Sequence, residues 1–255
     1  MRIAALYDIH GNLPAFDAVL AEVESLGVDR LVIGGDFIWG PFPSETVDRL
    51  RALGERAVII AGNSDREVID RLDVTGELPP HLVAPVRWTE ERLRDDQFEF
   101  VAGLAKICVL DVEALGPTLF CHATPRSDEE LITKATPDDA LAEVLTDVEQ
   151  QVIVCGHTHM QFDRKSATHR VVNPGSVGMP YEHQPGAYWA LLGPAVRLQR
   201  TSYDIAAAVE RIRASGFPYE RFAEVLAVPP RQEAILESFE GERRRMATAV
   251  SDSSR

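Results

Sequence analysis

Five short apolar runs, at residues 3–7, 31–33, 58–61, 118–121 and 152–155, each end abruptly at carboxylate, amide or imidazole side chains. Several of the runs are rich in β-branched residues, the pattern of strands buried on both faces. Between them lie helical stretches. Pro14 can occupy a first-turn position ahead of residues 15–26, which Gly27 then closes. Pro43-Ser44-Glu45 opens a second helix over 46–53, ended by Gly54. Strands alternating with helices predict an α/β sheet.

Further along, residues 66–103 read as an insertion of helices and loop, interrupted by Pro79-Pro80 and Pro85. Residues 107–112 and 118–121 flank 113–117 as a hairpin. Residues 162–172, 188–192 and 196–200 predict further antiparallel strands. Two mixed sheets packed face to face, covered outside by helices, assemble these parts. The expected organisation is one domain over 1–203, a helical extension over 204–240 packed on it, and a disordered tail over 241–255.

The residues that follow the apolar runs carry the chemistry. They are Asp8-Ile9-His10-Gly11-Asn12, Gly34-Gly35-Asp36, Gly62-Asn63-Ser64-Asp65, His122-Ala123-Thr124-Pro125 and Gly156-His157-Thr158-His159. Residues two apart in extended chain point to the same side, so Asp8/His10 and His157/His159 are each expected to converge on one cavity. The crevice beyond the carboxyl ends of the strands is where α/β sheets bind ligands. Carboxylate, amide and imidazole together suit Mn²⁺, Fe or Zn²⁺ at sites that stay open, rather than a closed thiolate zinc site or an all-oxygen calcium site. Asp8, His10, Asp36, Asn63, His122, His157 and His159 are too many ligands for one ion and suit two that share a carboxylate. Ions about 3.5–4 Å apart support in-line displacement at phosphorus.

The neighbours of these blocks have a bland and a sharp reading each. Asn12 either binds a phosphate or caps the helix that follows it. Asp65 and Arg126 are candidates for substrate contact or proton delivery. Phe37, Trp39 and Phe42 either pack a loop or line a pocket for a nucleobase. Cys121 and Cys155 read as inert buried thiols.

The ordered blocks D-x-H, G-G-D, G-N-x-D, a lone His after a strand, and G-H-T-H resemble the calcineurin-like metallophosphoesterase superfamily, from Asp8 to His159. Asn173-Pro174-Gly175-Ser176-Val177 and the helical stretch that follows the last strands resemble its small bacterial, phosphodiesterase-like branch. The resemblance implies a four-layer αββα sandwich and two divalent metal ions, Mn²⁺ first, with Fe, Zn²⁺ or Ni²⁺ behind it. Asp8, His10 and His159 would hold one ion, Asn63, His122 and His157 the other, and Asp36 would bridge them. A water or hydroxide between the ions would attack a phosphodiester or, next, a nucleotide such as a dinucleoside polyphosphate. Many members carry a histidine after the ligand asparagine; here Ser64 stands there, and a hydroxyl is a poor general acid near pH 7. The alternative is a catalytically weak metal-binding scaffold of the same fold.

Composition bounds the partners. Forty acidic against 26 basic residues leave a formal charge of −14, which lacks the basic footprint of an extended nucleic-acid binder but permits a small phosphate ester. No apolar run approaches the roughly 20 residues of a membrane span, and the N-terminus lacks a signal-peptide pattern, so a cytoplasmic enzyme is expected. Three cysteines with no C-x-x-C spacing imply no disulfide framework.

Overall fold

The structure, a computed structural model, describes residues 1–253. In chain order the elements are β1 (Ile3–Leu6), α1 (Leu13–Leu26), β2 (Arg30–Gly34), α2 (Pro43–Ala52), β3 (Ala57–Ile60), α3 (Asn63–Ile69), α4 (Leu72–Thr75), α5 (Pro80–Glu90) and α6 (Asp95–Ala102). There follow β4 (Ile107–Val112), β5 (Gly116–Cys121), α7 (Asp138–Val144), β6 (Val152–Val154), β7 (Phe162–Lys165), β8 (Arg170–Asn173), β9 (Ala187–Leu192) and β10 (Arg197–Thr201). Helices α8 (Ile205–Ser215), α9 (Glu220–Ala227) and α10 (Gln232–Ser253) complete the chain.

Two five-stranded mixed sheets form, in the orders β10-β9-β1-β2-β3 and β4-β5-β6-β8-β7. In the first, β1, β2 and β3 are parallel, with β9 antiparallel to β1. In the second, β5, β6 and β8 are parallel, and β4 and β7 close the two edges antiparallel. The three parallel strands of each sheet deliver their carboxyl ends to one side. That side carries the site.

Strand β1 shows why the sequence gives layers. Its side chains alternate, as period-two backbone requires. Ala4 and Leu6 join the core beneath α1, while Ile3, Ala5 and the adjacent Tyr7 face the second sheet. Phe120, Val154 and Val172 meet them from that sheet, and the Tyr7 hydroxyl donates to the Val154 carbonyl at 3.0 Å. On the far side, Leu119, Cys121, Ile153 and Cys155 pack against Leu141 of α7. The result is the expected four-layer αββα sandwich. Burying each large apolar side chain contributes about 1.5–3 kcal/mol, so the two-sided burial of these short strands offsets their length.

Gly27 ends α1 in the left-handed conformation, as read from the sequence. The 107–121 hairpin is also as read. Two expectations need correction. Pro85 does not break the insertion; it sits inside α5. The bond it forfeits would run to the carbonyl of His81, an exposed first-turn residue whose carbonyl water can satisfy. The segment after Gly241 was expected to be disordered, yet α10 carries through it to Ser253. Glu240, 7% exposed, anchors that helix by accepting hydrogen bonds from Thr133 and Thr136. Ser254 and Arg255 lie outside the described residues. No helix of the described residues is long and apolar enough to cross a membrane.

Candidate metal centre

Every one of the seven candidate ligands reaches the same end of the sandwich. Asp8, His10 and His159 form one group whose ligand atoms lie within 4.8 Å of one another, and Asp36, His122 and His157 form a second. Asn63 joins the second group, its Oδ1 3.0 Å from His122 Nε2. Asp36 stands between the two, with Oδ1 3.4 Å from His122 Nε2 and Oδ2 3.8 Å from His10 Nε2.

The convergence does not arise from strand alternation, as the spacing suggested. Asp8, His10, Asp36, His157 and His159 all have left-handed backbone, with φ between 48° and 67°. They are five of the seven non-glycine residues with positive φ among the described residues. Left-handed backbone costs an L-residue about 1–2 kcal/mol. Such strain persists only where neighbours over-determine it. Here the amides of Asp8, His10 and Gly11 bond the carbonyls of Gly35, Asp36 and Phe37, extending the β1–β2 pairing past the strands. The Ser176 hydroxyl and the Gly178 amide both bond the Asp8 carbonyl. Gly62 lets the two turns meet: a Cβ there would lie 2.1 Å from Asp36 Oδ1.

Each histidine is oriented by a backbone carbonyl. Nδ1 of His10 faces the Trp39 carbonyl at 3.2 Å, Nδ1 of His159 faces that of Met179 at 2.7 Å, and Nδ1 of His122 faces that of Gly34 at 2.9 Å. In His157 the roles reverse, Nε2 lying 3.1 Å from the Glu129 carbonyl. A nitrogen bonded to a carbonyl must carry the proton, which leaves the other as a lone pair. The free nitrogens therefore face the cluster. His10 Nε2 and His159 Nε2 then confront each other at 3.1 Å with no proton between them. Asn63 Oδ1 is turned toward His122 Nε2 at 3.0 Å, because Asn63 Nδ2 is committed to Glu67 Oε1 at 3.1 Å. Acceptors aimed at acceptors repel unless a cation joins them. The residues present fit divalent metal at both groups.

Charge supports the same conclusion. Burial and the neighbouring His159 push His10 down to about 4, and burial with His122 does the same to His157, so both stay neutral lone-pair donors near pH 7. His122 behaves oppositely: burial opposes its charge, but Asp36 outweighs it and raises the ring to about 10. Asp36 resists its own burial and is held well below the usual carboxylate range by His122. Asp36 thus demands a positive partner.

The flanking candidates are placed differently from expectation. Asn12 is fully buried; its Oδ1 caps α1 at the Ala15 amide and its Nδ2 donates to the Gly178 carbonyl and Tyr203 hydroxyl. It is a cap, with no donor left for substrate. Asp65 is also fully buried and accepts four backbone amides, those of Asp36, Phe37, Ile38 and Gly62. Burial and Asp36 push its carboxyl up to about 7 against the pull of those amides. It builds the turn that presents Asp36 instead of contacting substrate. Arg126 is half exposed and forks onto Glu130 at 2.6 and 3.0 Å. Ser64 does stand at the site. Its amide donates to Asp36 Oδ1 at 2.9 Å, and its buried hydroxyl has no hydrogen-bond partner.

Trp39, 5% exposed, packs edge-on against His10 at 5.4 Å and against Tyr219 at 5.2 Å, so it is a wall between site and C-terminal helices. Phe37 and Phe42 are buried core residues. Sequence reasoning missed Glu67, which turns the Asn63 amide, and Tyr181, which stacks on His159 at 5.0 Å with 22° between planes. Glu67 was findable, being one helical turn after Asn63. Tyr181 carried no local signal. All three cysteines are free, with Cys121 and Cys155 buried; burial pushes the Cys155 thiol up to about 12.

The comparisons with known proteins agree with this geometry. A model of the calcineurin-like phosphoesterase superfamily domain matches residues 1–192. The crystal structure of a metallophosphoesterase from Sphaerobacter thermophilus superposes with a TM-score of 0.73 at 26% identity, over 90% of this chain and 99% of that one. A hypothetical protein from Pyrococcus horikoshii shares the fold, with a TM-score of 0.79 at 23% identity over 88% of this chain and 97% of its own. Phosphodiesterase YfcE of Escherichia coli is 25% identical over 200 residues, 75% of this chain and 87% of that protein. With the match spanning nine of the ten strands and all five ligand-bearing turns, the chain belongs to the calcineurin-like phosphoesterase superfamily.

Proposed function

We propose that this protein is a two-metal hydrolase of phosphate esters whose first substrate class is the phosphodiesters. The observation that carries the reading is the convergence of seven acceptor side chains, five of them on strained left-handed backbone. Strain of that kind, repeated at one site, is maintained for chemistry rather than stability. Asp8, His10 and His159 would hold one divalent cation, Asn63, His122 and His157 the other, and Asp36 both. When bound, the two cations supply Lewis acidity toward phosphoryl oxygens and activate water. Manganese suits the mixed donor set best, with iron, zinc or nickel behind it.

The chain's own residues account for the rest. Carbonyl-anchored imidazoles hold their lone pairs in place, so little reorganises as charge develops at phosphorus. Asp65 keeps the Asp36 turn closed through its four amides. The Ser64 hydroxyl is a donor awaiting an acceptor, but it is a poor acid near pH 7. Leaving groups that depart without a proton are therefore favoured, which places aryl esters and phosphoanhydrides above esters of simple alcohols.

Stripping the protein with a chelator and restoring Mn²⁺, Zn²⁺ or Mg²⁺ in turn tests this with bis(p-nitrophenyl) phosphate. Turnover absent from the stripped protein and restored by Mn²⁺ is the expected result. Silence with every ion, while ions still bind, would favour a scaffold instead.

A further inference from the structure

Each candidate histidine ligand is turned by a backbone carbonyl, but the four carbonyls are not equally secure. Those of Gly34, Trp39 and Met179 belong to buried residues, and His122, His10 and His159 are buried with them. His157 differs. It is partly exposed, and the Glu129 carbonyl that meets its Nε2 at 3.1 Å belongs to an exposed residue in the loop 122–137, between β5 and α7. The His157 amide donates to Asp8 Oδ2 at 3.1 Å, which fixes the backbone. What remains for Glu129 to decide is the rotation of the ring, and with it whether Nδ1 faces Asp36 and His122 as a lone pair.

The loop must therefore be held where it passes His157. Its later part is packed down, with Leu131, Ile132 and Thr133 buried and Thr133 and Thr136 bonded to Glu240. Its earlier part is more open, and its ties are ionic. Arg126 and Glu130 close the loop on itself. Arg66 reaches it from α3. Nε of Arg66 donates to Asp128 Oδ2 at 2.8 Å, and one terminal nitrogen donates to Asp128 Oδ1 at 3.3 Å and to Glu129 Oε1. Lys106 adds a looser contact to Asp128 at 3.5 Å. The Arg66 and Asp128 side chains are only 23% and 14% exposed. A planar fork shielded from water holds a fixed geometry, as an exposed ion pair does not.

Arg66 lies three residues after Asn63. One short helix thus carries the ligand Asn63, the Glu67 that turns it, and the arginine that grips the loop beneath His157. We propose that Arg66 is a positioning residue for the ion of the Asn63, His122 and His157 group: by clamping Asp128 and Glu129 it keeps the Glu129 carbonyl on His157. The role rests on the two-metal reading above. It makes one ion depend on the clamp and leaves the other independent, since His10 and His159 are turned by the carbonyls of Trp39 and Met179.

Titrating the full, metal-free chain with Mn²⁺ by calorimetry gives the affinity of each ion. In Arg66→Gln one of the two affinities should fall about 10- to 100-fold, the usual effect of losing a group that orients a ligand, and the other should stay. Asp128→Asn, which keeps the shape of the loop but weakens the fork, should act in the same direction. A charge acting at a distance gives a different pattern: losing the arginine would tighten the cation, and losing the aspartate charge would loosen it. Arg126→Gln, in the same loop, should change neither affinity. NMR of the histidine rings in metal-free protein reads the ring itself. His157 should be protonated at Nε2 in the native chain and a mixture of tautomers in Arg66→Gln, with His159 unmoved. Affinities that stay, rise or fall together in Arg66→Gln would overturn the clamp, and so would an unmoved His157 tautomer. Fewer than two ions on the native chain would overturn the two-metal reading itself, while the tautomer, measured without metal, still decides the clamp.

Discussion

Asp36→Asn is expected to lower metal-dependent phosphodiester turnover roughly 10³-fold or more, the scale on which loss of one charge-stabilising group in a buried site is felt. The substitution keeps shape and one carbonyl oxygen but removes the charge. Asp36 is the residue whose two oxygens face both groups, at 3.4 Å from His122 Nε2 and 3.8 Å from His10 Nε2. Its low proton affinity, set by His122 against the cost of burial, marks it as the anion around which the positive charge of the site is organised. The amide would place an NH₂ toward one of the two imidazole lone pairs, so the variant should also bind fewer ions. Inductively coupled plasma mass spectrometry after dialysis reads that directly. Native turnover with two ions per chain in Asp36→Asn would refute the role assigned to this carboxylate.

The largest stability effect belongs to Asp65→Ala. Four buried backbone amides lose their acceptor at once: Asp36 and Gly62 on Oδ2 at 2.8 and 2.9 Å, Phe37 and Ile38 on Oδ1 at 3.0 and 3.1 Å. Each unsatisfied buried donor costs about 1–3 kcal/mol, so the variant should lose at least about 4 kcal/mol. That is a large fraction of the roughly 5–15 kcal/mol by which a domain is stable. Urea unfolding of the native and variant chains measures the difference as a fall in midpoint. Asp65→Asn keeps one acceptor oxygen and should lose less. A loss under about 1 kcal/mol for the alanine variant would mean that water reaches those amides, and that Asp65 does not hold the turn.

The fold and the ligand cluster are legible in the chain for one physical reason. Strands buried on both faces must be short apolar runs, and a run that ends in Asp or His at the same edge of a sheet has few structural uses. Asp8, Asp36, Asn63, His122, His157 and His159 follow from that, with His10 beside them. What spacing does not carry is backbone conformation. Asp8/His10 and His157/His159 converge through left-handed turns rather than through extended chain; Asp and His tolerate positive φ better than most side chains, but their spacing alone does not say where it occurs. Neither does spacing say which way a polar side chain turns. Asn12 and Asp65 neighbour the ligands in sequence but spend their hydrogen bonds inside the fold, Asp65 on backbone amides and Asn12 on backbone and the Tyr203 hydroxyl. Arg126 is adjacent in sequence yet paired with Glu130. The reverse holds for Tyr181, which stacks on His159 from the long loop between β8 and β9. Long-range packing of that kind leaves no local pattern to read. Pro85 teaches the same about helices: a helix tolerates proline where the forfeited bond falls on an exposed first turn.

Crystals of the full chain grown with Mn²⁺, with data collected at the manganese edge, would locate the ions among the seven ligands. Two anomalous peaks about 3.5–4 Å apart are expected, one among Asp8, His10 and His159 and one among Asn63, His122 and His157, with Asp36 touching both. A single peak, or peaks away from these side chains, would contradict the two-metal centre.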